Sequence, residues 1–239
     1  MGIARFYDRT VHRELACRAA WPPIANNFAL GDYGLIAHGV FFSLGNIERD
    51  FGVPVDASAD SPAGKLDFVS ESATIARLAA GGQVAVFPDQ PIDAQLVFDF
   101  ESAESLVLKS SAVVTREMRN AEVAAKALRS KKGWRLRYRV VRQIVHASHA
   151  LVITTREAST KVTFAAHANL LRQLELGNVG VDIDVGSDKS VGLELVGKAG
   201  IIGLGLFRVR LLGGGAAPVD IDGGIDRDDD DAEELDDDV

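Results

Sequence analysis

The sequence predicts an α+β protein: a large, twisted, mostly antiparallel sheet with an N-terminal amphipathic helix and one internal helix. Three observations predict it. From Lys65 onward the dominant apolar period is two, most plainly in Ile92 to Phe100, where Ile92, Ala94, Leu96, Phe98 and Phe100 face one way and Asp93, Gln95 and Asp99 the other. Sustained helical spacing occurs in two places, Met1 to Ala20 and Thr115 to Arg129. Turn signals such as Gly45-Asn46 and Gly81-Gly82 divide the remaining runs into short pieces.

The elements follow in order. In the first segment Ile3, Phe6, Tyr7, Val11 and Leu15 recur every three or four residues, with arginines elsewhere on the wheel, and Pro22-Pro23 ends it. Such a helix either packs on the body or lies on a membrane surface. Short strands then occupy Phe28 to Leu44, Ile47 to Phe51 reads as a helical turn, and Val55 to Gly64 as a polar loop. Strands are expected at Leu66 to Phe68, Ala73 to Ala79, Gln83 to Phe87, Ile92 to Phe100 and Leu106 to Val114. Thr115 is the expected N-cap of the internal helix, which Lys131-Lys132-Gly133 ends with basic charge at the C-terminal pole. Afterwards Trp134, Leu136, Tyr138 and Val140 alternate with Arg135, Arg137 and Arg139, as on a strand. Further strands fall at Ala150 to Thr155, Lys161 to Ala166, Gly180 to Val185, Val191 to Val196 and Ile201 to Leu211. Glycines within the last of these suggest bends or bulges.

Charge divides the chain unevenly. From Gly213 to Val239 one arginine stands against ten aspartates and two glutamates, a net of −11. The whole 239-residue chain carries −8, so the body up to Leu212 is +3. A run of like charges is solvated and self-repelling, which makes residues 213–239 an expected flexible acidic tail on a domain spanning 1–212. The single cysteine, Cys17, excludes an internal disulfide framework and fits a reducing compartment. No apolar run reaches the ~18 residues of a membrane-spanning helix, and the first 20 residues have no continuous apolar stretch of the kind a secretory signal needs. The expected location is cytoplasmic.

Motifs for chemistry are sparse. His146 and His149 have a spacing a metal could use, without a cysteine or carboxylate cluster beside them. Asp220, Asp222, Asp226 and Asp228 alternate like a calcium loop but lack its terminal bidentate glutamate. No phosphate loop, nucleophile elbow or carboxylate pair occurs, so no enzyme activity, metal or cofactor is expected. The dense basic stretch of Arg135, Arg137, Arg139 and Arg142 reads as a solvated sheet face, an anionic-lipid surface or a phosphate-binding one. Aromatic interleaving is too poor for base stacking, so nucleic acid is not an expected partner.

The order of elements from Asp93 to Leu212 resembles the pore-forming domain of gasdermins, especially the short bacterial members. The strand Gln95-Leu-Val-Phe-Asp-Phe100 leads to Ser105 to Ser110 and an intervening helix. Val140-Val-Arg-Gln-Ile-Val-His-Ala147 follows, then Leu170 to Val185, a Ser/Asp/Lys turn at Ser187 to Ser190, Val191 to Val196, and Gly205-Leu-Phe-Arg-Val-Arg-Leu211. About half the chain carries the likeness. It implies a soluble, autoinhibited protein of bacterial cell death and antiviral defence. Proteolysis near its C-terminus would free the body to oligomerise at the inner membrane and insert β-hairpins as a pore.

On that reading the inserting strands are those of Ile92, Ala94, Leu96, Phe98 and Phe100, of Val181, Ile183 and Val185, and of Val191, Leu193 and Leu195. Arg135, Arg137, Arg139 and Arg142 would face anionic lipid. Val219, Asp220, Ile221, Asp222, Ile225 and Arg227 would form the cleavage or inhibitory segment. Some bacterial members carry a lipid-modified cysteine near residue 1, for which Cys17 is the candidate here. Partners would be an activating protease, anionic lipids and further copies of the chain. Read from the residues alone, the same strands also fit a non-enzymatic binding or structural protein whose basic face the acidic tail shields.

Overall fold

A computed structural model describes residues 3–79, 94–166, 191–210 and 216–218; for 76–79, 94–96, 163–166, 191–198 and 216–218 it describes the backbone alone. The fold is α+β and mostly antiparallel. Helix α1 (Ile3–Leu15) opens the chain and strand β1 (Arg18–Ala19) follows. Next come β2 (Asp32–Ala37), β3 (Val40–Asn46), the short helix α2 (Ile47–Phe51), β4 (Gly64–Val69) and β5 (Ala73–Ala79). The chain continues through β6 (Ala94–Phe100), β7 (Leu106–Glu117), α3 (Ala121–Arg129), β8 (Arg139–Thr155), β9 (Thr160–Ala166), β10 (Val191–Val209) and β11 (Ala216–Pro218). One sheet runs β1-β10-β8-β2-β3, with β11 on β10, β7 on β8 and β4 on β7; a three-stranded sheet has the order β5-β6-β9.

The chain divides into two compact units, Met1–Pro62 with Val114–His146 and Ile201–Val239, and Ala63–Val113 with Ala147–Gly200. In the first unit, adjacent residues of β8 and β10 enter different cores, because successive strand side chains leave opposite faces. Val140, Phe207 and Val209 join Ile47, Val53, Met118 and the α3 residues Ala124, Ala125 and Leu128. Val141, Leu204 and Leu206 join Ala20, Phe41 and Ile201 on the other face. Alanines on the buried stripe of α3 let that helix approach the sheet closely.

The N-terminus is tied down by a buried charge pair. Asp8 on α1 accepts from Arg18 Nη1 at 2.7 Å and from the Ala19 backbone N–H at 2.8 Å. Cys17, between them, is 1% exposed. It lies against Gly203, where any Cβ would stand 2.5 Å from Cys17 Sγ. Gly205 likewise has Gln143 where a Cβ would go. These glycines serve close packing inside an unbroken 19-residue strand, not the bends their number suggests.

Several boundaries differ from the sequence reading. The internal helix starts at Ala121, because β7 continues through Glu117; its N-cap position is Asn120, not Thr115. The alternating stretch after Gly133 is not a strand. Trp134 N–H donates to Lys131 O at 3.2 Å and Tyr138 N–H to Arg135 O at 3.0 Å, closing two successive turns. Those turns bring the Trp134 and Tyr138 rings to 5.4 Å, and both meet Tyr33 from β2. Extended chain would hold residues four apart at roughly 13 Å, so the aromatic packing requires the turns. Gly45-Asn46 marks a helix start, with Asn46 Oδ1 accepting from Glu48 N–H at 3.0 Å.

Candidate functional site

Strand β6 occupies the centre of the three-stranded sheet. It pairs antiparallel with β5 from Ala73↔Phe100 to Ala79↔Ala94, and with β9 from Phe100↔Thr160 to Ala94↔Ala166. A β-rich run of alternating residues between two neighbours has every backbone group satisfied laterally. Phe98 and Phe100 are both fully buried, so these two residues of the alternating face identified from the sequence point into the protein in this state. Asp99 on the opposite face accepts from Lys161 Nζ at 2.9 Å. The backbone of Ala94 and Leu96 belongs to β6, and that of Val191, Leu193 and Leu195 to β10. Ile92, Val181, Ile183 and Val185 lie outside the described residues.

The basic residues do not share one face. Arg135 and Arg142 are exposed, and Arg137 is half-buried. Arg139 is 6% exposed, and its Nη1 donates to Arg137 O at 2.8 Å. It therefore satisfies loop carbonyls and cannot face lipid, a correction that follows from the turns at 131–138. Among the described residues the exposed large apolar side chains are Phe42 and Leu44, two apart on β3, with Val123 on α3 and Leu136 in the turn segment.

Cys17 is unsuited to acylation in this conformation. Burial, and after it the nearby Asp8 carboxylate, push its thiol up to about 12, so it stays protonated and out of reach.

The described chain ends against the body. Ala216–Pro218 adds to β10 as an antiparallel strand, with Phe207↔Pro218, Arg208↔Ala217 and Val209↔Ala216. The flexible tail expected from Gly213 onward therefore includes a short strand at Ala216–Pro218, which takes up the backbone edge of β10. Val219, Asp220, Ile221, Asp222, Ile225 and Arg227 lie outside the described residues.

One cleft escaped the sequence reading. It measures about 370 Å³ and is lined by Phe28, Val114, Ile144 and Ile201 with Asp60, Arg116 and His146. Arg116 donates to Asp60 twice, at 2.7 and 3.1 Å, and these hydrogen bonds hold the Asp60 carboxyl below its usual range. Partners 56 residues apart leave no local signal.

Among the described residues no helix is long and apolar enough to cross a membrane, and no group of three or more histidines, cysteines and carboxylates could hold a metal. Neither a family model nor a curated protein matches the chain. Among solved structures, the chain is similar to a bacterial gasdermin from Bradyrhizobium tropiciagri at 16% identity and a TM-score of 0.38, covering 89% of this chain and 90% of that one.

Proposed function

We propose that this protein is an autoinhibited pore-former whose C-terminal segment restrains the body until proteolysis releases it. The freed body would then oligomerise on anionic lipid and insert amphipathic β-hairpins, as a cell-death or defence effector. The observation that carries this reading is β11: three residues pair with the edge of β10, and the 21 that follow hold every charge of the −11 tail. A polyanion tethered to a +3 body opposes approach to an anionic bilayer, where each basic residue near the surface contributes about 1 kcal/mol of attraction. Cutting before Ala216 would remove the tail and free the β10 edge together.

The physics of insertion supports the same reading. Strands joined into a closed barrel satisfy every backbone group in lipid, so no apolar helix is required. Spanning strands need roughly 9–11 residues, a length that β7, β8 and β10 exceed with 12, 17 and 19 residues. The competing reading, a soluble binding protein with an acidic shield, is favoured by the full burial of Phe98 and Phe100 in an ordinary sheet.

One experiment separates the two. A full-length chain with a sequence-specific protease site inserted after Leu212 is cut in the presence of anionic vesicles loaded with dye. Cutting is expected to release dye at least tenfold faster than the uncut chain. Equal leakage with and without cutting would sink the pore reading.

A further inference from the structure

Three corners lie side by side in the unit built from Ala63–Val113 and Ala147–Gly200. β4 passes into β5 at Ser70–Ser72, β6 into β7 at 101–105, and β8 into β9 at 156–159. On one side of the corners β7 pairs with β4 and β8; on the other, β6 pairs with β5 and β9. The second and third of these paths have the same pairing index on both sides of the corner. Ala94 faces Ala166 and Phe100 faces Thr160, each pair of numbers summing to 260. Beyond the corner Thr155 N–H donates to Ser105 O at 3.1 Å, and farther along Met118 N–H donates to Arg142 O at 2.7 Å, and both pairs sum to 260 again. Four residues, 101–104, intervene on one path and four, 156–159, on the other. The two paths are therefore register-matched across the corner; the irregularities of these strands lie farther along, at 110–113 of β7 and at His149 of β8, whose φ is 49°. The first path differs: Val69↔Val107 sums to 176 and Ala73↔Phe100 to 173.

Hydroxyl groups hold the bend. Ser72 Oγ and Ser105 Oγ share a 2.6 Å hydrogen bond, and Ser105 Oγ lies 2.7 Å from Ser102 O. Ser105 N–H donates to Thr155 Oγ1 at 3.3 Å, while Glu104 N–H takes the Thr155 carbonyl at 3.2 Å. Leu106 N–H donates to Ser70 Oγ at 3.1 Å. Ser105 and Thr155 are both buried, so these bonds are not exchanged for water while the corner stays closed. Each of the two matched corners also contains a non-glycine residue in the left-handed region, Glu104 at φ 56° and Ser159 at φ 57°.

We propose that this corner is a hydroxyl-latched hinge, in which Ser72, Ser105 and Thr155 hold the bend and whose opening straightens β6–β7 and β8–β9 into one continuous ladder without a change of partners. Straightening passes the Thr155 carbonyl from Glu104 N–H to Ser105 N–H, relaxes both left-handed residues and requires no slip along either strand. Only the β4–β5 path must shift, by three residues, and the Ser72–Ser105 bond ties it to the others at the corner together with the bonds Leu106 N–H to Ser70 Oγ, Ser70 N–H to Leu106 O and Glu101 N–H to Ser72 O. The hinge deepens the pore reading and rests on it for its use, but its opening is a property of the soluble protein.

Two measurements test it on the full-length chain. In amide hydrogen exchange, Ser105→Ala and Thr155→Val are each expected to speed exchange at 101–106 and 155–159 about tenfold while leaving the β6–β9 ladder protected. Unchanged exchange at the corner, or equal acceleration along the ladder, overturns the hinge. A second variant, Ser72→Cys with Ser105→Cys, places two thiols where hydroxyls now touch, within reach of a disulfide. In the cleavable chain the oxidised form is expected to leak dye at least tenfold more slowly than the reduced form. Equal, rapid leakage in both forms overturns the hinge while the pore reading stands. Absence of leakage even when reduced removes the pore reading and leaves the hinge to be decided by exchange.

Discussion

Replacing Gly203 with alanine tests how the N-terminal segment is seated on β10. The added Cβ would stand 2.5 Å from Cys17 Sγ and 3.5 Å from Val145 Cβ. Ordinary contacts lie near 3.5–4.0 Å, so the sulfur overlaps by about 1 Å and the valine does not. Cysteine has one short side-chain torsion and no room to move, since Cys17 is buried. Overpacking of this kind costs about 1–3 kcal/mol. Cys17→Ala alone leaves a small void and costs about 1 kcal/mol. Were the two sites independent, the double variant would lose about 2–4 kcal/mol. Because the alanine at 17 removes the very atom that the new Cβ meets, the double variant is expected to lose only about 1 kcal/mol. Equilibrium unfolding in urea of all four proteins, followed by far-ultraviolet circular dichroism, measures the cycle. Costs that add to within about 0.5 kcal/mol would refute the seating of Cys17 on Gly203.

Other consequences are as concrete. With its thiol pushed up to about 12, Cys17 should resist iodoacetamide at pH 8.5 until the protein unfolds. The sign of its linkage is that of a group whose folded value is raised: its contribution is full below the unfolded value of about 8.5 and is lost as pH rises toward 12. Cys17→Ala should therefore flatten the fall in stability across that window, as read by unfolding at pH 8, 9.5 and 11. Asn46→Ala removes the acceptor for Glu48 N–H and the donor to Leu30 O and Asp32 Oδ1. A loss of about 1–2 kcal/mol is expected in urea, and Asn46→Asp should not recover it, because its second carboxylate oxygen would face Asp32 Oδ1 and Leu30 O where an amide now donates. Reversing Arg135 and Arg142 to glutamate in the cleaved protein should weaken binding to anionic vesicles at least tenfold in sedimentation. Arg139→Ala should lower the melting temperature instead, because that guanidinium is buried against loop carbonyls.

Local signals were legible where one period ruled a segment. The alternation in 94–100 predicted β6, and the three- and four-residue spacing of the first segment predicted α1. Alternation misled at 134–139, because an apolar residue at every second position satisfies a strand pattern and a turn that stacks Trp134 on Tyr138, four apart, equally well. The glycines of β10 misled for a related reason. A glycine required because a neighbour's atoms occupy its Cβ position reads identically to one required by a bend.

The sequence by itself determined the fold class, the period of most strands and the division of charge between a +3 body and a −11 tail, because each is a sum or a spacing along the chain. Only the tertiary structure decided which arginines remain outside, that Ala216–Pro218 completes the edge of β10, and that Phe98 and Phe100 are turned inward. It also brought Ser72, Ser105 and Thr155 together, residues up to 83 positions apart. Hydrogen bonds at that separation depend on how strands pair, and pairing is settled by the competition among all the edges and faces of the sheet rather than by any one stretch.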